Sequence, residues 1–315
     1  MSPDLSALSS LLLAVVLGLA AWPARAWAPR RRAVFLGLLG LLLLLGPLVV
    51  AREASWPLRV LAGMGVPIVV LKLRDLHVAS DWWRQQHVAR WALAILVPFV
   101  LVPRAHAAAP RPPRRVVLRR LVIGSLEVAV GVLLWRSGLP AAAAEHGFVV
   151  EHVTRVLLLY MIAFDGGLAV LGAALSLVGV ARLRFTHHPI LASTPADFWR
   201  RYNLEAGRWF HHDVFTPEGG RRHPVRTVLQ VFLVSGLLHE YLSAVLVGRV
   251  QGYQTAFFLL HGVLVVATAR MRPRGALRVA GIVVTFAVVM ATTVLFFASI
   301  HAAEGRFWMN PPPLP

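Results

Sequence analysis

Long runs of apolar residues recur from one end of this chain to the other. Nine runs are found, at Leu5–Trp22, Ala33–Ala51, Leu58–Leu71, Trp91–Val102, Leu121–Trp135, Val156–Val180, Thr227–Val247, Tyr253–Ala269 and Leu277–Ile300. A helix needs roughly 20 mainly apolar residues to cross a bilayer, and here 57% of the residues are hydrophobic and only 15% are charged. The pattern excludes a soluble globular domain and predicts an all-α, polytopic transmembrane helical bundle.

No long polar region separates the apolar runs, so we expect a single integral-membrane domain spanning residues 1–315. The chain contains no cysteine. Disulfides, thiolate metal sites and cysteine nucleophiles are therefore excluded, and any covalent chemistry has to use other side chains.

The distribution of arginine and lysine predicts the topology. If all nine runs crossed, the basic loops at 72–90 and 104–120 would lie on opposite faces. The run Trp91–Val102 is short and contains Pro98, which is typical of an interfacial or re-entrant piece. Without it, eight crossings place loops 23–32, 72–120, 181–226 and 270–278 on one face with 26 of the 32 cations.

The other face keeps six cations, at Arg52, Arg59, Arg136, Arg155, Arg249 and Arg306. Because basic loops are retained in the cytoplasm, we predict eight or nine membrane segments with an interfacial cytoplasmic loop region. The net charge of +18 then reflects topology and attraction to anionic membrane lipid, and no nucleic acid partner is expected. Abundant arginine, alanine, glycine and proline favour a bacterial source, and hence the bacterial cytoplasmic membrane.

The loop between the sixth and seventh apolar runs is unusually rich in aromatic and cationic residues. It contains Asp197-Phe198-Trp199-Arg200-Arg201-Tyr202-Asn203, followed by Trp209-Phe210-His211-His212-Asp213. Indole rings and guanidinium groups suit the boundary between membrane and water. Two interpretations stay open on this pattern alone: an interfacial amphipathic helix, or part of a binding site.

The next apolar run carries two ionisable residues, His239 and Glu240. From Val228 to His239 is about 16 Å of helix, which places the imidazole near the middle of a hydrocarbon core about 30 Å thick. A polar group at that depth is costly and is a functional candidate by default. The alternative is a histidine that hydrogen-bonds between helices to hold their packing.

Taken together, the two segments resemble the wax synthase-like branch of the membrane-bound O-acyltransferases. The resemblance rests on Asp197-Phe198-Trp199-x-x-Tyr202-Asn203 and then Ser235-Gly236-Leu237-Leu238-His239-Glu240, and it is close over residues 185–245. Tyr202 stands where that family usually has tryptophan, so an aromatic ring is kept.

The resemblance implies transfer of a fatty acyl group from acyl-CoA to the hydroxyl of a lipophilic alcohol, as in wax ester synthesis. His239 matches the family's intramembrane histidine and Asn203 its loop asparagine. A neutral imidazole is suited to remove the proton of an alcohol, and an amide can hydrogen-bond the thioester carbonyl or the developing oxyanion. His239 is thus the expected general base, with Asn203 as the second catalytic residue.

Further side chains of both segments are candidates for substrate binding: Phe198, Trp199, Tyr202, Arg200, Arg201, Ser235 and Glu240. The arginines, together with Arg208, match CoA phosphates, although each is also explained by topology. Glu240 lies about 100° round the helix from His239, so support of helix packing or of a polar network is its simpler role.

Neither a metal nor a resident cofactor is expected, acyl-CoA being a co-substrate. The adjacent pairs His187-His188 and His211-His212 lack the i,i+4 spacing of helical ligands, and no carboxylate cluster completes them. The same chemistry on a sterol, a diacylglycerol or a secondary-metabolite hydroxyl is equally compatible with the motif. A transporter using Glu127, Asp165 and His239 at the midplane, or a non-catalytic scaffold, are the alternatives from other classes.

Overall fold

The computed structural model describes residues 2–50, 53–108, 112–179, 183–220 and 222–304, and these form helices and their connecting loops. Arg52, Arg111, Arg182, Arg221 and Arg306, which enter the charge count above, lie outside the described residues. The helices are α1 Pro3–Ala20, α2 Pro29–Val50, α3 Trp56–Val78, α4 Ser80–Arg84, α5 Val88–Leu96, α6 Pro103–Ala108, α7 Arg114–Arg136, α8 Leu139–Glu145, α9 Phe148–Leu177, α10 Pro195–Arg201, α11 Leu204–Trp209, α12 Pro224–Val247, α13 Tyr253–Thr268 and α14 Ala276–Glu304.

Six helices in the described part of the chain are long and apolar enough to cross a membrane, as in an integral membrane protein. They lie within Pro3–Ala26, Pro29–Val49, Trp56–Val78, Phe148–Leu177, Pro224–Val247 and Ala276–Ser299. The other three predicted runs form less apolar or shorter helices. α7 carries Arg114, Arg115, Arg119 and Arg120 near its start, α13 has 16 residues, and α5 has nine and ends before Pro98.

Proline marks the start of many of these helices. Pro3, Pro29, Pro195 and Pro224 are the first residues of α1, α2, α10 and α12. At this position the missing N–H has no intrahelical acceptor to lose, and the fixed φ is already helical. α12 ends at Val247 and is capped by Gly248, whose φ of 80° is the left-handed conformation that closes a helix.

The chain divides into two compact units, each built from two stretches of sequence. Unit 1 contains Met1–Ala105 and Arg208–Gly262. In it α1, α2 and α3 pack together, α12 packs on α3, and α5 packs on α1. Unit 2 contains His106–Gly207 and Val263–Pro315. In it α7 packs along α9, and α14 packs on α9 and α10.

α9 contains a wide π-helical stretch at Tyr160–Gly167. The close approach of α7 there depends on glycine, because a Cβ on Gly124 would lie 2.9 Å from the carbonyl oxygen of Gly166. Asp165 lies in the same stretch and accepts a hydrogen bond from the Thr186 hydroxyl. Such wide turns occur frequently at functional sites.

A buried ionic cluster ties unit 1 together on the side of its basic loops. Arg104 donates to the carboxylates of Asp75 and Asp213, which are 1% and 0% exposed. Trp83 Nε1 donates to the second oxygen of Asp75 at 2.8 Å. Burial raises the pKa of Asp213, and the Arg104 charge opposes that rise. Arg104 therefore compensates both carboxylates, which are removed from water, and the Arg74 charge also acts on Asp213.

Replacing Arg104 with alanine is expected to lower the free energy of unfolding by about 3 to 5 kcal/mol, because two buried carboxylates lose their cation. Thermal unfolding of the purified protein in detergent measures the effect. Arg274→Ala, at an exposed position, is the matched control and should change stability by less than about 0.5 kcal/mol. Equal losses in the two variants would contradict the role of the cluster.

Candidate functional site

The predicted site residues fall into two groups, one within each unit. Residues of the aromatic loop, from Asp197 to Asn203, belong to unit 2, and Ser235, His239 and Glu240 of α12 belong to unit 1. Each group has its own local geometry.

The aromatic loop is organised by the start of α10. The Thr194 hydroxyl accepts a hydrogen bond from the Asp197 amide at 3.0 Å, and Asp197 accepts one from the Ser193 amide at 3.3 Å. This is a variant of the reciprocal capping box. Asp197 also pairs with Arg201 at 3.0 Å and with Arg200 at 3.5 Å. Burial raises the pKa of Asp197, but these hydrogen bonds and charges outweigh it and hold the value below its ordinary range.

Three aromatic rings of the motif pack on one another. The rings of Phe198 and Tyr202 stack with centroids 5.3 Å apart, and Trp199 meets Phe198 and Tyr202 edge-on at 5.6 and 5.7 Å. Phe164 of α9 lies 6.0 Å from Tyr202. Burial raises the pKa of the Tyr202 phenol, so this group is a neutral hydrogen-bonding group at physiological pH.

Phe198 also lines a small apolar cavity within unit 2. The cavity has a volume of about 40 Å³. The other residues that line it are Leu157, Tyr160, Pro189, Ile190, Ala192, Thr285, Phe286, Val289 and Met290. Typical ligand pockets measure about 300–1,000 Å³. In this conformation the cavity is therefore too small for a long acyl chain.

Asn203 directly precedes α11 and has a strained backbone conformation. Its φ is 44°, a region that asparagine tolerates better than most residues. Its side-chain oxygen accepts a hydrogen bond from the Ala206 amide at 3.2 Å, as an N-cap does. The oxygen of the side-chain amide thus has a structural task, and the two N–H donors of its nitrogen are the groups suited to a substrate oxygen.

The two arginines of the motif differ in their surroundings. The Arg200 side chain is 51% exposed, whereas that of Arg201 is 26% exposed and lies closer to Asp197. His187 is near them, since its amide donates to the Arg201 carbonyl oxygen at 2.8 Å. The charge of Arg184, then burial and the charge of Arg201, lower the pKa of His187. The loop therefore presents cationic guanidinium groups next to a neutral imidazole.

His239 is partly buried on α12, and its ring is fixed from two sides. Nδ1 lies 2.8 Å from the Ser235 carbonyl oxygen, one turn earlier on the same helix. The ring of Phe258 on α13 lies against the imidazole, with centroids 4.3 Å apart. Because a carbonyl oxygen only accepts hydrogen bonds, Nδ1 carries the proton, and in the neutral ring the lone pair is on Nε2.

Along α12, His239 lies closer to the helix end than to its start. It is about 22 Å from Pro224 and about 12 Å from Val247, at 1.5 Å per residue. The helix begins three residues before the predicted Thr227. The imidazole is therefore about two-thirds of the way along the helix.

Glu240 holds the start of the next helix. Its Oε1 accepts from the amides of Gln251 and Gly252 at 2.8 and 2.6 Å, and its Oε2 accepts from Gln254 and Thr255 at 3.1 and 3.2 Å. A carboxylate at a helix N-terminus also meets the positive end of the helix dipole. The side chain is 5% exposed. Both oxygens of Glu240 are therefore engaged in joining α12 to α13.

Gly236 permits the close approach that this join requires. A Cβ at this position would lie 3.0 Å from Cα of Thr255 and 3.3 Å from Cβ of Phe258. The segment Ser235-Gly236-Leu237-Leu238-His239-Glu240 thus combines a carbonyl that orients the imidazole, a contact point between helices and an interhelical cap. Each of the three has a structural reason to be present.

The sequence interpretation missed a buried pair that supports α11. His106 Nε2 and Glu205 Oε2 lie 2.8 Å apart, and the two residues are 8% and 1% exposed. Glu205 lies two residues after Asn203, in the first turn of α11. Glu205 could have been noticed in the sequence as a carboxylate within a basic, aromatic loop. His106, in the Ala- and Pro-rich stretch before α7, has no sequence feature that marks it as the partner of Glu205.

In the ranges described, no three His, Asp or Glu side chains come together in a way that could hold a metal ion. His187 and His188 have ring centroids 5.8 Å apart, and His211 and His212 have theirs 5.3 Å apart. Comparison with known protein families and with curated protein sequences gives no match for this chain.

Glu240→Gln is expected to lower the free energy of unfolding by about 2 to 4 kcal/mol, because the change removes a charge from four amide donors and sets an NH₂ group against two of them. Thermal unfolding in detergent measures the loss. Glu218→Gln is the matched control, since Glu218 is 48% exposed and its distance to Arg74, 3.8 Å, is long for an ion pair. A Glu240→Gln protein as stable as the control would show that the carboxylate does not hold α13.

Proposed function

We propose that this chain is a membrane-bound O-acyltransferase of the wax synthase-like type. It transfers a fatty acyl group from acyl-CoA to the hydroxyl of a lipophilic alcohol, with His239 as general base. The paired motifs at 197–203 and 235–240 support the class of reaction. The orientation of the His239 ring is the structural observation that carries the assignment of the base.

The hydrogen bond from Nδ1 to the Ser235 carbonyl oxygen selects the imidazole tautomer that has its lone pair on Nε2. The same bond fixes the ring plane, and the contact with Phe258 restricts it further. A base whose tautomer is set in advance needs no rearrangement before it accepts a proton. A preset tautomer and a fixed ring plane therefore suit His239 to the role of general base.

In the proposed reaction the alcohol proton passes to Nε2 of His239 while the alcohol oxygen attacks the thioester carbonyl carbon. A tetrahedral intermediate forms, its carbonyl oxygen carrying the negative charge. The C–S bond then breaks, and the imidazolium returns the proton to the departing CoA sulfur. The ester and CoA-SH leave, and His239 is again neutral, so neither an oxidant nor a metal enters the balance.

Asn203 supplies the hydrogen-bond donor in this scheme. Its side-chain oxygen is engaged by the Ala206 amide, so the NH₂ group is the end of the amide that faces a substrate oxygen. One such donor contributes about 3 kcal/mol to stabilising an oxyanion. The positive φ and the helix cap hold the amide in place before substrate binds.

The cationic and aromatic side chains of the loop bind the substrates in this scheme. Arg200, half exposed, contacts the CoA phosphates, and Arg201 contributes its charge while paired with Asp197. Phe198, Trp199 and Tyr202 provide apolar contact for the substrate chains. The apolar cavity beside Phe198 would have to widen for a long chain to enter.

The proposed topology has eight crossings in a bacterial cytoplasmic membrane. Besides the six long apolar helices, α7 and α13 cross. Arginines at the start of α7 reach the interface by extending their side chains, which allows a helix with charged residues at one end to span. This arrangement puts the aromatic loop on the cytoplasmic side, where acyl-CoA is available.

His239→Ala is expected to reduce ester formation from labelled acyl-CoA and a long-chain alcohol by at least about 100-fold, because the alcohol loses its general base. Membranes containing the protein and thin-layer separation of the product provide the assay. His223→Ala, at an exposed position just before the same helix, should retain full activity. A folded His239→Ala protein with normal turnover would exclude this histidine as the base.

Asn203→Asp separates the structural role of Asn203 from its proposed catalytic role. Aspartate keeps the capping oxygen and tolerates the positive φ, but it removes both amide donors. We expect near-normal stability and a loss of about 100-fold or more in kcat. If Asn203→Asp were fully active, the residue would act only as a helix cap.

A further inference from the structure

Unit 1 carries a dense cluster of tryptophan and arginine where its first three helices meet the basic loops. This Trp–Arg cluster contains Trp22, Trp27, Trp82, Trp83 and Trp91 with Arg25, Arg31, Arg32, Arg84 and Arg90. It joins the end of α1, the start of α2 and the end of α3 to α4 and α5.

The tryptophans form a rigid platform. Trp83 and Trp91 are fully buried and meet edge-on with centroids 5.1 Å apart, and Trp22 stacks on Trp91 at 6.2 Å. Trp91 Nε1 donates to the Gly18 carbonyl oxygen at 3.0 Å. Arg25 lies 3.8 Å above the Trp22 ring, and Arg31 lies 4.5 Å from the centre of the Trp27 ring. The rings thus hold guanidinium groups in fixed positions.

Arg32 is a buried cation whose hydrogen-bond acceptors are neutral. It is 4% exposed, and it donates to the carbonyl oxygens of Trp27 at 3.0 Å and Arg25 at 3.3 Å and to His77 Nδ1 at 3.4 Å. Burying a charge is costly unless an opposite charge compensates it. The charge of Asp81 acts on Arg32, but the Asp81 side chain is 89% exposed, so an anion from outside the chain would compensate Arg32 further.

Two guanidinium groups converge on one acceptor. The Arg25 carbonyl oxygen accepts from Arg32 and also from Arg84 Nε at 2.9 Å, so two like charges are held side by side. Nε of Arg25 itself is buried without a hydrogen-bond partner. Asp81 lies 3.4 Å from Arg84, but its side chain is 89% exposed, and surface pairs of this kind contribute little.

The start of α2 adds to the excess of positive charge. Arg30, Arg31 and Arg32 occupy its first turn, where the helix dipole is already positive and cations are unfavourable. A negatively charged group bound here would offset both the dipole and the arginines.

We propose that the Trp–Arg cluster binds the phosphate headgroup of an anionic phospholipid. The phosphate would contact Arg25, Arg32 and Arg84, since guanidinium groups bind phosphate through paired N–H donors. A lipid is favoured over a free phosphate because the cluster sits at the ends of three long apolar helices. Side chains of α2 such as Val34 and Leu38, 62% and 64% exposed, provide an adjoining apolar surface for acyl chains, and indole rings suit the headgroup level.

Native mass spectrometry of the full-length protein in detergent, with added dioleoyl phosphatidylglycerol or dioleoyl phosphatidylcholine, tests this site. We expect the wild-type protein to retain phosphatidylglycerol in preference to phosphatidylcholine. Arg25→Gln combined with Arg84→Gln should weaken that binding about 25-fold, at roughly fivefold for each charge. The control, Arg270→Gln with Arg274→Gln, removes two exposed arginines and should change it less than about twofold.

Three results would overturn the proposal: equal binding of both lipids by the wild type, equal losses in the two double variants, or full displacement of phosphatidylglycerol by millimolar inorganic phosphate. The second indicates non-specific charge attraction, and the third a site for a small anion. If the Arg25 and Arg84 double variant does not fold, Arg84→Gln alone serves instead. Its side chain is 46% exposed, and we expect about a fivefold loss of binding.

Discussion

Hydrocarbon offers no hydrogen-bond partners, so each polar group that enters it must be satisfied by the protein itself. Burial inside the protein imposes a similar requirement, and several polar residues of unit 1 meet it. Glu240 accepts four backbone amides at the start of α13, and Arg104 compensates Asp75 and Asp213. His239 donates to a carbonyl of its own helix. The apolar helices enclose these groups, and the groups in turn fix how the helices meet.

In both motifs, one side chain combines a structural role with a proposed chemical role. The amide oxygen of Asn203 caps a helix while its nitrogen keeps the donors, and one nitrogen of His239 donates to a carbonyl while the other is the proposed base. Glu240 differs, because both of its oxygens are engaged in the helix join. Glu240 can therefore be required for the helix packing around His239 without any contact to substrate.

Runs of apolar residues predicted the helical fold and most of its long helices. The predicted runs at 227–247 and 253–269 agree with α12 and α13 to within three residues. The start of α7 was missed by seven residues, because arginines at a helix end lower the hydropathy without ending the helix. The links made by Glu240 and Arg104 were not predictable, since their partners come together only after the chain has folded back. The residues of the candidate site were predictable only through a motif, and the cap made by Asn203 became evident from its hydrogen bond to the Ala206 amide.

The central claim is that the protein makes an ester from acyl-CoA and a lipophilic alcohol. The most direct measurement is a comparison of lipid extracts from cells with and without the expressed protein, both supplied with an isotope-labelled long-chain alcohol. We expect a new neutral ester that contains the labelled alcohol and a cellular fatty acyl chain. The proposed activity would be contradicted if folded protein is present in the membrane but no new ester forms. This holds for that alcohol and for a sterol, a diacylglycerol or another hydroxyl acceptor.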